Sequence, residues 1–434
     1  MAQRIIVYRG KEADEDAGMD GGRVKVWDKI NANFTDLYTL TGGNSTILPV
    51  ANGGSGLLSG LVAGAATTGE KTNNTAIINA ALATGQRSVL PTGVIYTNGA
   101  LAPTTGCGLI AASPFGSLAT RIINDASDVF MFPGSLVTGF LFEGFSVEAS
   151  AGHIFAFPNS GATIAQCDFK RLHLVQYATN KSVMNGPDTG LIEVNWDRCD
   201  SVSAAAASVP SFKLLCSAGQ IACNKFQNSR HTSGAGATAY VFDVQQTATG
   251  SFCYDNIWSN WNFEGTEGGC IKLLSHLNAT VEDCKVYDLP GATTAHLFYL
   301  GKYSGAYASR YVKFKNVSRR GGSLGSSMYD IKLASGESLL GLIENCDNAA
   351  LSGFKVDMGN NDFYRIDGNA DNTFDNLHTN NTFVRRQISL KEITDPSATN
   401  PDDAVIYARD NGSGKTQICV RFSSGAVQVI ATQP

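Results

Sequence analysis

Down the middle of the chain, hydrophobic and polar positions repeat a four-residue pattern. Apolar or small residues take the first and fourth places, a charged or polar residue the second, and Asn or Asp the third in six of nine copies. The copies begin at Phe142 (FEGF), Phe169 (FKRL), Trp196 (WDRC), Phe226 (FQNS), Tyr254 (YDNI), Val281 (VEDC), Phe314 (FKNV), Ile343 (IENC) and Phe374 (FDNL). Successive steps are 27, 27, 30, 28, 27, 33, 29 and 31 residues, so each copy marks one structural repeat and the irregularity marks loops of varying length.

Two short strands that alternate in and out, joined at a bend, put the first and fourth residues in a common core and the second in solvent. The third then sits at the bend, where Asn and Asp tolerate the left-handed conformation. Gly144, Arg171 and Arg198 replace them in the first three copies. A repeat of about 29 residues without helical periodicity is the size of one three-stranded coil of a parallel β-helix, and neither a Leu ladder nor helix pairs are present. The pattern therefore predicts an all-β chain, a right-handed parallel β-helix solenoid of about nine or more coils.

The same parity predicts what faces water. The fifth position should point outward, giving the column Ser146, His173, Asp200, Arg230, Trp258, Lys285, Ser318, Asp347 and His378. Across the bend lies the second-position column of Glu143, Lys170, Asp197, Gln227, Asp255, Glu282, Lys315, Glu344 and Asp375. Residues 254–264 hold the densest mix of aromatics and carboxylates, which suits a sugar: an exposed Trp offers an apolar face to a pyranose while acids and amides bond its hydroxyls. Trp258 is expected to face out with Asp200, Arg230 and Lys285 as glycan contacts, whereas Trp261 faces in. The structural alternative for Trp258 is packing beneath a loop.

Hydrolysis of a glycosidic bond needs two carboxylates about 5 Å apart for retention or about 6.5–9.5 Å for inversion. With coils ~4.8 Å apart, Asp255 and Glu282 approach the first separation and Asp197 and Asp255 the second; Glu264 and Glu267 lie just beyond. Any β-helix with exposed acids produces such pairs, and most are solvated surface. The chain carries no HExxH, P-loop or GxSxG pattern. The six His are scattered, with His173 and His378 read as surface side chains, and Arg319 and Arg320 as a solvated basic loop.

Composition narrows the classes. Charged residues make up 16% and Gly numbers 46, which fits a turn-rich β architecture. A net charge of −5 without a basic stripe gives no case for nucleic acid. No run approaches a membrane span, and MAQRIIVYRG lacks a signal-peptide core, so a soluble protein made in a cytoplasm is expected. The ten Cys show no zinc spacing. Cys199, Cys284 and Cys346 take the inward fourth position and read as small core residues, so neither metal nor cofactor is expected.

The two ends differ from the middle. Trp27, Ile30, Phe34 and Leu37 are spaced as an a/d seam of about two heptads, too short to be stable alone. Packing onto symmetry mates or a docking partner, or folding onto its own domain, would both satisfy it. Leu48 to Gly56 reads as a Gly/Ser neck. Asn74 or Thr75 can cap a helix with Ile77, Ile78 and Ala81 on its apolar face, closing the solenoid's open end. Residues 404–430 read as a β-meander joined by Asn-Gly and Ser-Gly turns. The predicted organisation is thus 1–48 attachment segment, 49–63 neck, 64–387 β-helix with its capping helix, and 388–434 meander for trimerisation or capping.

VKVWDKINANFTDLYTLTGG (24–43), LPVANGGSG (48–56), KTNNTAIINAALATG with VLPTGVIY (71–96) and IYARDNGSGKTQICVRFSSGAVQVIATQP (406–434) together resemble segments of bacteriophage tailspike and tail-fibre proteins. The third is similar to the entry of pectate-lyase-like β-helices, although that family more often has Asp where Asn73 and Asn74 stand. The resemblance implies a homotrimer on a virion tail, joined to a tail or baseplate protein through Trp27, Ile30, Phe34 and Leu37. It also implies binding of bacterial surface polysaccharide, lipopolysaccharide or capsule, during host adsorption, with depolymerisation by Asp197, Asp255, Glu282 or Glu264 as a further activity. The alternatives are a structural or adhesive tail protein with no hydrolytic site, and a cellular polysaccharide lyase.

Overall fold

The computed structural model describes residues 56–378, apart from several loops, and residues 404–434, apart from 423–424. The attachment seam of Trp27, Ile30, Phe34 and Leu37 lies outside the described residues. The chain divides into two compact units after Asn380.

The first unit opens with helix α1 (Thr68–Ala83), which starts earlier than expected. Its N-cap is Thr67, whose hydroxyl accepts from the Glu70 N–H while the Glu70 carboxylate accepts from the Thr67 N–H. This reciprocal capping satisfies two otherwise orphaned donors. Asn74 is no cap: it is fully buried, donating to the carbonyls of Val62 and Tyr96 and accepting from the Val62 N–H. Its amide ties the helix to the first coil, while Ile78, Ala81 and Leu82 bury the apolar face against the solenoid core. No described helix is long and apolar enough to cross a membrane.

Beyond α1 the chain winds into a right-handed parallel β-helix of about eight turns. A turn holds four short strands where three were expected. One turn runs Gly190–Ile192, Asn195–Asp197, Asp200–Val202 and Phe212–Cys216, and each pairs in parallel with its equivalents above and below. These four positions define four ladders, and the third and fourth are each ten strands deep.

The extra strand arises because the chain bends twice through the left-handed region. One corner column, between the second and third ladders, is Gly144, Arg171, Arg198, Asn228, Asn260, Asp283, Asn316 and Asn345, all at positive φ. The expected bend is therefore present even where Gly or Arg replaces Asn. The other column, between the first and second ladders, is Gly139, Gln166, Glu193, Cys223, Asp255 and Asn278. A left-handed non-glycine costs about 1–2 kcal/mol. From Gly144 to Asn316 and from Gly139 to Asn278 the corner N–H offsets much of this by bonding the carbonyl of the coil below, as Arg171 does to Asp197 (3.0 Å) and Arg198 to Gln227 (3.2 Å).

The core is an aromatic stack. Phe142, Phe169, Trp196, Phe226, Trp258, Val281 and Phe314 follow one another in register and are all buried. Trp258 and not Tyr254 is therefore the fifth copy of the motif, with Trp258-Ser259-Asn260-Trp261 in its four places. The ninth copy is displaced too: Phe374–His378 pairs with Phe354–Asp357 in the fourth ladder, so His378 does not continue the outward column. Cys199, Cys284 and Cys346 are buried as expected, and all ten Cys are free thiols.

The second unit, taken by itself, is an antiparallel meander of Ala404–Asp410, Thr416–Phe422 and Val427–Thr432. Its first turn is held by the Asp410 carboxylate, which accepts from the N–H groups of Gly412 and Gly414.

Candidate functional site

The third ladder presents a regular outward surface in its middle coils, while Ser146 and Ser318 toward its two ends, expected to face out, are buried. Its strands bury the middle residue and leave those on either side half-buried or, at Arg230, exposed, as in Asp200–Val202, Arg230–Thr232, Asn262–Glu264 and Lys285–Tyr287. The pairing places His173, Asp200, Arg230, Asn262, Lys285 and Ser318 in one column. A second column runs Glu148, Val175, Val202, Thr232, Glu264 and Tyr287. Asp200, Arg230 and Lys285 thus stand where parity put them.

Trp258 does not. It is 0% exposed, stacked on Phe226 and edge-on to Phe242, and its place in the outward column belongs to Asn262. A one-copy phase error of four residues exchanged a core residue for a surface one. Trp261 is buried as expected.

The candidate acids separate. Asp197 lies in the second ladder beside Gln227, and Glu282 beside Ser259. Between Asp197 and Glu282 the column reads Gln227 and Ser259, a separation of three coils or about 14 Å. Asp255 sits at the other corner column, exposed, with its Oδ1 accepting from the Asn278 amide at 2.6 Å. The expected Asp255–Glu282 and Asp197–Asp255 pairings therefore do not form in the register, because Asp255 belongs to a different bend. Glu264, in the third ladder, approaches Arg230 at 3.8 Å and accepts from the Thr232 hydroxyl at 3.1 Å, and Arg230 reaches Asp200 at 3.5 Å. One guanidinium thus bridges two carboxylates on the open face.

Further along, the corner column and the third ladder together form a cleft of about 610 Å³, lined by Asn260, Asp283, Lys285, Asn316, Ser318, Arg320 and Asn345. Its wall of amides is the third-position Asn column, read in sequence only for its bend. Arg320 is exposed there, whereas Arg319, expected in a solvated loop, is 2% exposed and bonds Asp330 at 2.7 Å. The reason is parity: Arg319 follows Val286 in the inward slot of the third ladder, and a cation placed there needs a buried partner.

Two His lie deep in the core. His231 is bracketed by the hydroxyls of Ser201 (2.8 Å) and Ser211 (3.3 Å), and burial pushes its pKa down to about 3. His276 contacts the Asn256 amide at 2.8 Å, and burial again lowers it to about 3. Both are neutral structural groups. His173 is half-buried on the third ladder. No group of three or more His, Cys, Asp or Glu among the described residues could hold a metal ion.

Fold and surface together define a right-handed parallel β-helix whose ladders present polar and charged side chains to solvent, the third ladder among them. No protein-family model and no curated sequence matches the chain. Among solved structures it is similar to PfbA, a surface adhesin of Streptococcus pneumoniae (TM-score 0.46, 10% identity, 86% of this chain and 98% of that one). It is also similar to the A-module of the mannuronan C-5 epimerase AlgE6 of Azotobacter vinelandii (0.45, 12%, 75% and 98%). A third is the tailspike protein of Acinetobacter phage vB_ApiP_P1 (0.34, 10%, 89% and 80%). Likeness at this level concerns the coiling of strands and leaves function to the residues.

Proposed function

We propose that the chain is a bacteriophage tailspike or short tail fibre that binds bacterial surface polysaccharide during host adsorption. In this reading it is a homotrimer, attached to the virion tail through residues 1–48 and acting at the bacterial surface. The observation that carries the binding role is the outward column Asp200, Arg230, Asn262 and Lys285. Charged and amide groups recur once per coil on a rigid aromatic core, so a polymer lying along the solenoid meets a donor or acceptor at each step without loss of side-chain order in the scaffold. The tail assignment rests on the resemblance of residues 24–43, 48–56, 71–96 and 406–434 to phage tail segments.

Binding without cleavage is the reading favoured for the solenoid. What supports it is the separation of Asp197, Asp255 and Glu282 over two bends and three coils, and the engagement of Glu264 by Arg230 and Thr232. Purified protein should bind lipopolysaccharide or capsule from a susceptible host and leave its chain length unchanged. Shortened oligosaccharides would reinstate a hydrolase or lyase, and absence of binding to every host tested would remove the receptor-binding reading. A mass of three times the 45.9 kDa chain in light scattering is expected, with loss of incorporation into particles, but not of the trimer, on deletion of residues 1–48.

A further inference from the structure

The cleft beside the lower third ladder differs in charge from the molecule that carries it. The whole chain has a net charge of −5, yet the cleft lining holds two cations, Lys285 and Arg320, against one carboxylate, Asp283. That carboxylate is already engaged, accepting from the Asn316 amide at 2.9 Å. Arg320 uses its Nε to donate to the Ser318 hydroxyl at 3.1 Å, which anchors the guanidinium and leaves its two terminal nitrogens without a partner among the described residues. Lys285 has no carboxylate within ion-pair distance among the described residues, in contrast to Arg230 two coils earlier in the same column, which is held by Asp200 and Glu264. Around these cations stand the amides of Asn260, Asn316 and Asn345, brought to one wall because each occupies the left-handed corner of its coil.

We infer that this cleft receives an acidic sugar residue of the glycan, its carboxylate between Lys285 and Arg320 and its hydroxyls against the asparagine wall. This rests on the polysaccharide-binding reading above and adds the chemical class of the ligand. A guanidinium fixed through Nε presents its remaining N–H groups as a fork that matches a carboxylate, while an ammonium contributes a point charge. The asparagine amides supply both donors and acceptors, which is what ring hydroxyls need. A neutral sugar would meet the same amides but leave both cations without a counter-charge.

The test uses the full-length protein on an array of bacterial capsular and lipopolysaccharide glycans, neutral and acidic. Each binder is then retested after carbodiimide activation and borohydride reduction of its carboxylates to alcohols. Binding confined to acidic glycans, lost on carboxyl reduction and weakened about tenfold by Lys285→Gln or Arg320→Gln, is expected, with unchanged melting temperatures showing that the variants fold. Affinity should also fall with added salt. Binding to neutral glycans, survival of binding after carboxyl reduction, or indifference to both substitutions would overturn the acidic-sugar assignment while leaving polysaccharide binding intact. Binding to no glycan at all would overturn both.

Discussion

Trp258 stacks on Phe226 of the preceding coil, ring centroids 5.5 Å apart and planes inclined by 10°. That contact fixes the phase of the middle coils, since Ser259 then lies beside Gln227 and Glu282 follows below. It also removes Trp258 from the list of sugar contacts.

Trp258→Ala should therefore act on stability and not on recognition. Loss of a fully buried Trp side chain costs about 3–5 kcal/mol, read as a lower denaturant midpoint. Glycan affinity per folded molecule should stay the same. A folded variant that had lost binding would return Trp258 to the surface.

The corner columns make a test of backbone strain. Arg198 holds φ 54° with an exposed side chain whose nearest acid, Asp197, is 3.7 Å away. Arg198→Asn, the residue type used at Asn228 and Asn260, should raise stability by up to about 1 kcal/mol. Gly144→Ala should lower it by about 1–2 kcal/mol, because Gly144 sits at φ 80° while a Cβ there meets only ordinary contact with Ala111 at 3.5 Å. Thermal denaturation of the two variants should show opposite shifts; equal shifts would mean that the corner is not strained.

Arg319 and Asp330 form a buried ion pair, 2% and 0% exposed. Asp330→Ala leaves a guanidinium in the core and should cost about 3–5 kcal/mol. Replacing both residues with apolar ones of similar size, Arg319→Met with Asp330→Leu, should recover most of it. Urea unfolding of the single and double variants checks this, and a harmless single substitution would contradict the pairing.

Stability should fall on mild acidification. His231 and His276 have folded pKa values of about 3, against an ordinary 6.5. The unfolded chain therefore binds protons that the folded chain refuses, so their contribution is complete above pH 6.5 and is lost as pH falls toward 3. Each His adds a slope of at most about 1.4 kcal/mol per pH unit. Between pH 7 and 5 the side chains that titrate are chiefly His, and burial lowers His153 in the same sense, so the melting temperature should drop steadily. A flat profile there would mean that water reaches the two imidazoles.

Much of the architecture is legible in the chain before folding. The recurring apolar-polar-Asn-apolar unit announces a solenoid, the third position announces a left-handed bend, and the inward Cys column follows from parity. All three depend on local rules: alternation along a strand and the conformational tolerance of Asn, Asp and Gly. The second corner column was less visible because its residues, Gln166, Glu193, Cys223 and Asp255 among them, share no side-chain chemistry. Only the ladder of N–H groups bonding the next coil makes that bend recur.

Phase is where the sequence by itself stops. Tyr254-Asp255-Asn256-Ile257 and Trp258-Ser259-Asn260-Trp261 both satisfy the motif, four residues apart, and each sends a different aromatic to the core. Pattern alone determined that this chain coils and that its corners are left-handed. The tertiary structure decided which copy is real, because only stacking against Phe226 and Phe242 distinguishes them energetically. With that choice it dispersed Asp197, Asp255 and Glu282, buried Arg319 beside Asp330, and gathered Lys285, Arg320 and the corner asparagines into one cleft. Proximity between coils depends on loop length summed along the chain, and no local pattern encodes that sum.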